Sequence, residues 1–158
     1  MQEILAIRRI TDLDDPDVVS LVARSDEYLG ALYPPESNHA EPLGALMGGS
    51  SAFFAGYLDT RLAVCGGVKV IQADPAYGEI KRVFVAEQFR GRGLATTMMQ
   101  HLENHLLQAG VTTARLEAGP RQPEALRLYE KLGYSRRGPF GSSKPDPLSV
   151  FMEKNLLA

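Results

Sequence analysis

The densest chemistry in this chain sits in four residues, Arg90-Gly91-Arg92-Gly93, which lie between an apolar strand and a long helical pattern. Two glycines let a backbone approach a ligand closely and take positive φ. A helix starting directly after them has its first amides unpaired, at the positive end of its dipole. Such amides, with Arg90 and Arg92 beside them, suit a phosphate; an ordinary strand-to-helix connection has the same composition. Glu79 lies on the strand leading into this turn. It is a candidate salt-bridge partner of Lys81 or Arg82. Tyr129 lies in "PEALRLYEKLGY". Its ring falls on an apolar helical face and can pack in a core. His101 and His105 are one helical turn apart. "HLENH" lacks the glutamate that follows the first histidine of a zinc protease, and no third ligand is evident, so no metal is expected.

These residues need elements to hold them. "GEIKRVFV" has the β-favouring Ile80, Val83 and Val85 of a strand. From Gly93 to Ala109, Leu94, Ala95, Met98, Met99, Leu102 and Leu106 recur at three- and four-residue steps and predict an amphipathic helix, with Gly110 as its stop. Earlier, a strand over Ile4 to Ile10 is followed by a helix capped by Asp15 with Pro16 at its first position. Val18, Val19, Val22 and Leu29 are its expected apolar face. Pro34 and Pro35 end that helix, a second short helix is expected over Pro42 to Met47, and "SAFFAGYL-DTR-LAVCGGVKVIQ" reads as a hairpin with a bulge near Gly66 and Gly67. After the central helix come a strand, "TTARLEAG", and a helix from Pro123 that turns Ala125, Leu128, Tyr129 and Leu132 inward. Two strands, "YSRRGPFG" and "LSVFMEKNL", follow, the last with Leu148, Val150 and Met152 on one face. Strands and helices in this order make an α/β (α+β) mixed sheet covered by helices.

"RGRGLA" resembles the acyl-CoA signature of the GNAT acetyltransferase superfamily, Arg/Gln-x-x-Gly-x-Gly/Ala, through Arg90, Gly93 and Ala95. A second register, Gln88, Gly91 and Gly93, also fits; Val85, five residues before Arg90, favours the first. "PEALRLYEKLGY" is similar to the family's "A-x-x-L-Y-x-x-x-G-F/Y". The resemblance is close over residues 60–155 and in outline before them. It implies the GNAT fold: a mostly antiparallel mixed sheet of six to seven strands with about four helices. It implies acetyl-CoA as co-substrate, with the strand at Val83, Phe84 and Val85 pairing with pantetheine. Arg90, Gly91, Arg92, Gly93, Leu94 and Ala95 would hold the pyrophosphate. Relatives often carry an asparagine where this chain has Gln122, so that cofactor contact is the least direct carry-over. Glu79 matches the base of the histone-acetylating branch, and Tyr129 the phenol that hydrogen-bonds the CoA sulfur. Tyr28, Tyr33, Glu36, Asn38 and His39 lie where the family's acceptor loop overhangs the site. Glu36 would pair with an ammonium and Arg82 with a carboxylate; a polar surface loop has the same residues. The implied activity is acetyl transfer to a primary amine of a small molecule by direct attack in a ternary complex. The alternatives are a protein or peptide N-acetyltransferase and a non-catalytic acyl-CoA-binding domain.

The whole chain fits this scale. Its 158 residues make one expected domain, 1–158, with 44% hydrophobic and 23% charged residues. A formal charge of −2 argues against a nucleic-acid surface as the main function. One cysteine, Cys65, excludes an intrachain disulfide and sits in an apolar run. No run reaches membrane-spanning length and no signal peptide is evident, so a cytoplasmic protein with no membrane partner is expected; a homodimer stays open.

Overall fold

The computed structural model describes residues 4–158. The elements are β1 (Leu5–Arg9), α1 (Pro16–Leu32), β2 (Ala52–Leu58), β3 (Arg61–Ile71), β4 (Tyr77–Val85), α2 (Leu94–Gln108), β5 (Thr113–Ala118), α3 (Pro123–Lys131), β6 (Ser135–Arg137) and β7 (Val150–Asn155). Seven strands form one sheet in the order β1-β2-β3-β4-β5-β7-β6. Every neighbouring pair is antiparallel except β4–β5, which is parallel and bridged by α2.

Local chemistry accounts for most boundaries. The Asp15 carboxylate accepts from the amides of Asp17 and Val18 at 3.0 and 3.2 Å, and Pro16 occupies the first turn of α1. Gly93 caps α2 at one end, and Gly110, with φ +78°, follows its last turn. Leu94, Met98, Met99, Leu102 and Leu106 are buried, which is the apolar face the spacing predicts. They pack on β3 and β4, where Gly78 lies under Leu106 so closely that an added Cβ would come within 2.3 Å of its side chain.

Three expectations are corrected. Among the described residues there are three α-helices where about four helices are expected: the short helix expected over Pro42 to Met47 is a 3-10 turn over Leu43–Leu46, preceded by another over Pro35–Ser37. Pro34 and Pro42 sit in extended backbone, which breaks this segment into pieces too short for an α-helix. The buried face of α1 is Val18, Leu21 and Ser25, whereas Val19 is 48% exposed. The last strand begins at Val150, because Leu148 lies in a turn held by the Asp146 carboxylate, which accepts from its amide at 2.8 Å.

Two irregularities of β4 shape the rest of the molecule. Gly67 pairs with Lys81 and Cys65 with Phe84, so Gly66 alone faces both Arg82 and Val83. The bulge expected near Gly66 is therefore real, and its extra residue is on β4, with Arg82 at φ +61°. Pairing of β4 to β5 covers only Gly78 to Ile80. Beyond Ile80 the two parallel strands part, and among the described residues no strand pairs with residues 81–85 on that edge.

Candidate functional site

Beyond the end of the β4–β5 ladder, β4 and α3 flank a cleft of about 340 Å³. Val83, Phe84 and Val85 line one wall, and Gln122, Ala125, Leu128 and Tyr129 the other. Arg90, Gly91, Gly93, Leu94 and Ala95 close one end. Gly91 and Gly93 have φ of +79° and +75°, a region that strains side-chain-bearing residues. No side chain caps α2, so its first amides remain available for an anion at the cleft. The Arg90 Nε donates to the Val85 carbonyl at 3.3 Å, and its guanidinium lies 5.2 Å from the Tyr28 ring and 5.5 Å from the Phe84 ring. Arg92 does not line the cleft; it lies 5.3 Å over Phe89. Tyr28, expected in the acceptor loop, lines this cleft.

Tyr129 is half-buried, and its ring meets Tyr134 edge-on at 6.1 Å. Burial pushes its phenol up to about 12, so the group is a proton donor at neutral pH. The inward side of α3 expected from the spacing forms the cleft wall. Ala125, Leu128 and Tyr129 are only partly buried because they look into that opening, and Leu126 is the buried residue.

Next to the cleft lies a pocket of about 130 Å³ that gathers Tyr33, Asn38, His39, Arg82, Lys81, Glu117 and Gln122. A larger basin of about 660 Å³ continues from it, sharing His39, Glu41, Lys81 and Glu117, and adds Glu36, Lys69 and Glu79. Glu79 and Tyr129 thus face different cavities. Glu79 is ion-paired with Lys81 at 3.0 Å, and both side chains are largely buried. Arg82 donates through Nε to the Glu41 carbonyl at 2.8 Å and pairs with Asp26, which commits its guanidinium.

His39 is the most engaged residue of the loop. Its Nδ1 meets the Glu117 carboxylate at 2.7 Å and its Nε2 meets the Glu36 carbonyl at 3.1 Å. Two acceptors facing both ring nitrogens favour the imidazolium; the Glu117 hydrogen bond raises the His39 pKa against the opposing effect of burial. Ser149 donates to the same carboxylate at 3.1 Å, and Ser37 donates to Asp146 at 2.7 Å. Glu117, Glu41, Lys69 and Ser149 were not singled out from sequence. The one available signal was on β5, where Arg115 and Glu117 alternate with Ala114, Leu116 and Ala118 and mark a polar face.

The side candidates resolve simply. His101 packs edge-on against Phe54 at 4.5 Å, and the His105 Nε2 donates to the Ser50 carbonyl at 2.8 Å. Cys65 is buried, donates to the Arg82 carbonyl at 3.3 Å, and is pushed up to about 12 by burial, so it is a small core thiol. No helix among the described residues is long and apolar enough to cross a membrane.

Known proteins share this arrangement. Residues 11–134 match the model of the acetyltransferase (GNAT) family. An IAA acetyltransferase from Azospirillum brasilense is 39% identical over 152 residues, covering 96% of this chain and 98% of that protein. An uncharacterized N-acetyltransferase from Bacillus subtilis is 34% identical over 94% of this chain and 98% of its own length. A solved acyl-CoA N-acyltransferase fold from Klebsiella pneumoniae superposes with a TM-score of 0.78 at 30% identity, covering 97% of this chain and 98% of that one. The PaiA N-acetyltransferase of Thermoplasma acidophilum, solved with coenzyme A, shares the fold at a TM-score of 0.69 and 16% identity, over 96% of this chain and 99% of that one. With a family model spanning most of its length and near-full-length relatives above 30% identity, this chain belongs to the GNAT acetyltransferase family and is an acyltransferase.

Proposed function

We propose that this enzyme transfers an acetyl group from acetyl-CoA to a primary amine of a small molecule, by direct attack in a ternary complex. The observation that carries this reading is the cleft between β4 and α3, beyond the point where β4 leaves β5. It joins an unpaired strand edge, the free amides of α2 and a protonated phenol in one opening. The edge at Val83 to Val85 suits the amides of pantetheine, and the Arg90–Ala95 turn suits its pyrophosphate. Tyr129 would donate to the departing thiolate. The acceptor enters from the pocket and basin behind the 33–42 loop, where Glu79, Glu117 and Glu41 offer carboxylates to an ammonium and Lys69, Lys81 and His39 offer cations to an acid group. Glu79 lies outside the cleft, so it would take the amine's proton through water.

Release of CoA thiol, measured over a panel of amines, amino acids, peptides and IAA, tests the reading. A small amine should be consumed and its acetyl amide recovered. Turnover of peptides only would move the acceptor to proteins, and acetyl-CoA binding without turnover would leave a binding domain. On the acceptor found, Glu79→Gln should lower the rate roughly 10²-fold at neutral pH, with the deficit shrinking as pH rises and free amine becomes available. A small, pH-independent loss would reduce Glu79 to the ion-pair partner of Lys81.

A further inference from the structure

We propose that Tyr33 is a positioning residue for the acyl donor. It fixes the Gln122 side-chain amide at the junction of cleft and acceptor pocket, so that the amide N–H groups meet a carbonyl oxygen of the acyl-pantetheine arm. This rests on the reading of the cleft as the acetyl-CoA site.

Gln122 is the one described residue that lines both the cleft and the smaller pocket behind it. Its Oε1 accepts from the Tyr33 hydroxyl at 3.2 Å. An amide whose oxygen is engaged presents its two N–H donors elsewhere. Gln122 also precedes α3 directly, yet its side chain makes no cap to that helix. The side chain has given up the usual local use of a polar residue there and is turned to Tyr33 instead.

Tyr33 is built into place. It is 6% exposed, at the end of α1, and its amide closes that helix on the Leu29 carbonyl. Burial raises the pKa of its hydroxyl, which therefore remains a donor. Arg121 donates to the Leu32 carbonyl and lies 5.8 Å from the Tyr33 ring. At Gly119 an added Cβ would fall 1.8 Å from the Tyr33 hydroxyl oxygen, so the phenol occupies space that any other residue at 119 would fill. Gly119, Arg121 and Gln122 therefore all serve one phenol from α1: its hydroxyl donates to the Gln122 amide at the junction, and the Arg121 backbone N–H also faces it. Two carbonyls of the donor fit that amide, the thioester and the pantetheine amide next to it, and the chemistry is the same for both.

Binding of acetyl-CoA and of CoA, measured by calorimetry without any acceptor, tests the proposal. Tyr33→Phe keeps the ring and removes the hydroxyl. Tyr33→Phe and Gln122→Ala should each weaken acetyl-CoA binding roughly 5- to 10-fold, and the double variant no further. Melting of the ligand-free Tyr33→Phe protein should stay within about 5 °C of wild type. Loss confined to acetyl-CoA assigns the contact to the thioester carbonyl, which CoA lacks; equal loss of both ligands assigns it to the pantetheine amide. A Tyr33→Phe protein that binds both ligands like wild type, or losses that simply add in the double variant, overturns the positioning role. Gly93→Val is the control for the cleft itself. If wild type fails to bind, or Gly93→Val binds normally, the cleft reading falls and the positioning role with it. If Gly93→Val abolishes binding while Tyr33→Phe is neutral, only the positioning role falls.

Discussion

At the scale of single residues, the two groups proposed for chemistry have opposite surroundings. Tyr129 stands in a half-dry cleft wall, where burial pushes its phenol up to about 12. A phenol used only for packing tolerates Phe, while one that donates to a leaving thiolate acts in the transition state. Tyr129→Phe should therefore lower kcat about 10- to 10³-fold with little change in acetyl-CoA affinity or in ligand-free melting temperature. Steady-state kinetics and thermal melts check both halves, and an unchanged kcat in a folded variant removes Tyr129 from the mechanism. The His39 ring is held by acceptors at both nitrogens, which raises its pKa. Because its folded pKa is raised above the ordinary 6.5, its contribution to holding the loop is present below that value and is lost as pH rises through the raised one. The side chain is 43% exposed, so the effect is a modest one. Melting temperature should fall as pH increases from 6.5, relative to His39→Gln, whose curve should lack that step. Parallel curves for the two proteins would show that the His39–Glu117 pair does not hold the loop.

At the scale of elements, the sheet is organised by a defect. The bulge at Arg82 and Val83 and the early end of the β4–β5 ladder together open the cleft, and α2 brings its amides to the mouth. Gly93 is the hinge of that arrangement. Its φ of +75° would strain valine, and there is open space around it where a side chain would project. Gly93→Val should therefore abolish most of the melting-temperature increase caused by acetyl-CoA, since that increase requires ligand binding to the native state. Differential scanning fluorimetry with and without ligand reads this directly. A full shift in a folded Gly93→Val protein would place the pyrophosphate elsewhere.

At the scale of the molecule, one apolar cluster runs from Ile10, next to β1, through Met98, Met99 and Leu102 of α2 to Met152 of β7. Its elements are far apart in sequence and share one interior, which predicts a single cooperative unfolding transition for the chain. Calorimetric and van't Hoff enthalpies should agree; two separable transitions would divide the chain into two units.

Much of this was legible beforehand. The Asp15 cap, the glycine turn and the apolar stripe of α2 are signals within a few residues of one another, and they hold in the structure because caps, turns and helical periodicity are local physics. The strand-helix pattern with the Arg90–Ala95 motif therefore placed the family, the fold and the candidate cofactor turn. The loop over 33–51 has no periodicity, and contacts across 78, 89 and 109 residues place it, through His39–Glu117, Tyr33–Gln122 and Ser37–Asp146. Spacing puts Ala125, Leu128 and Tyr129 on one inward side of α3, but it does not show whether that side meets protein or an opening; the structure turns it to the cleft. The sequence by itself determined which segments fold and which turn could hold an anion. Only the tertiary structure decided that Glu79 is paired to Lys81 in one cavity, that Tyr129 faces another, and that Gln122 lines both the cleft and the smaller pocket beside it, because those placements depend on where β4 and β5 part company.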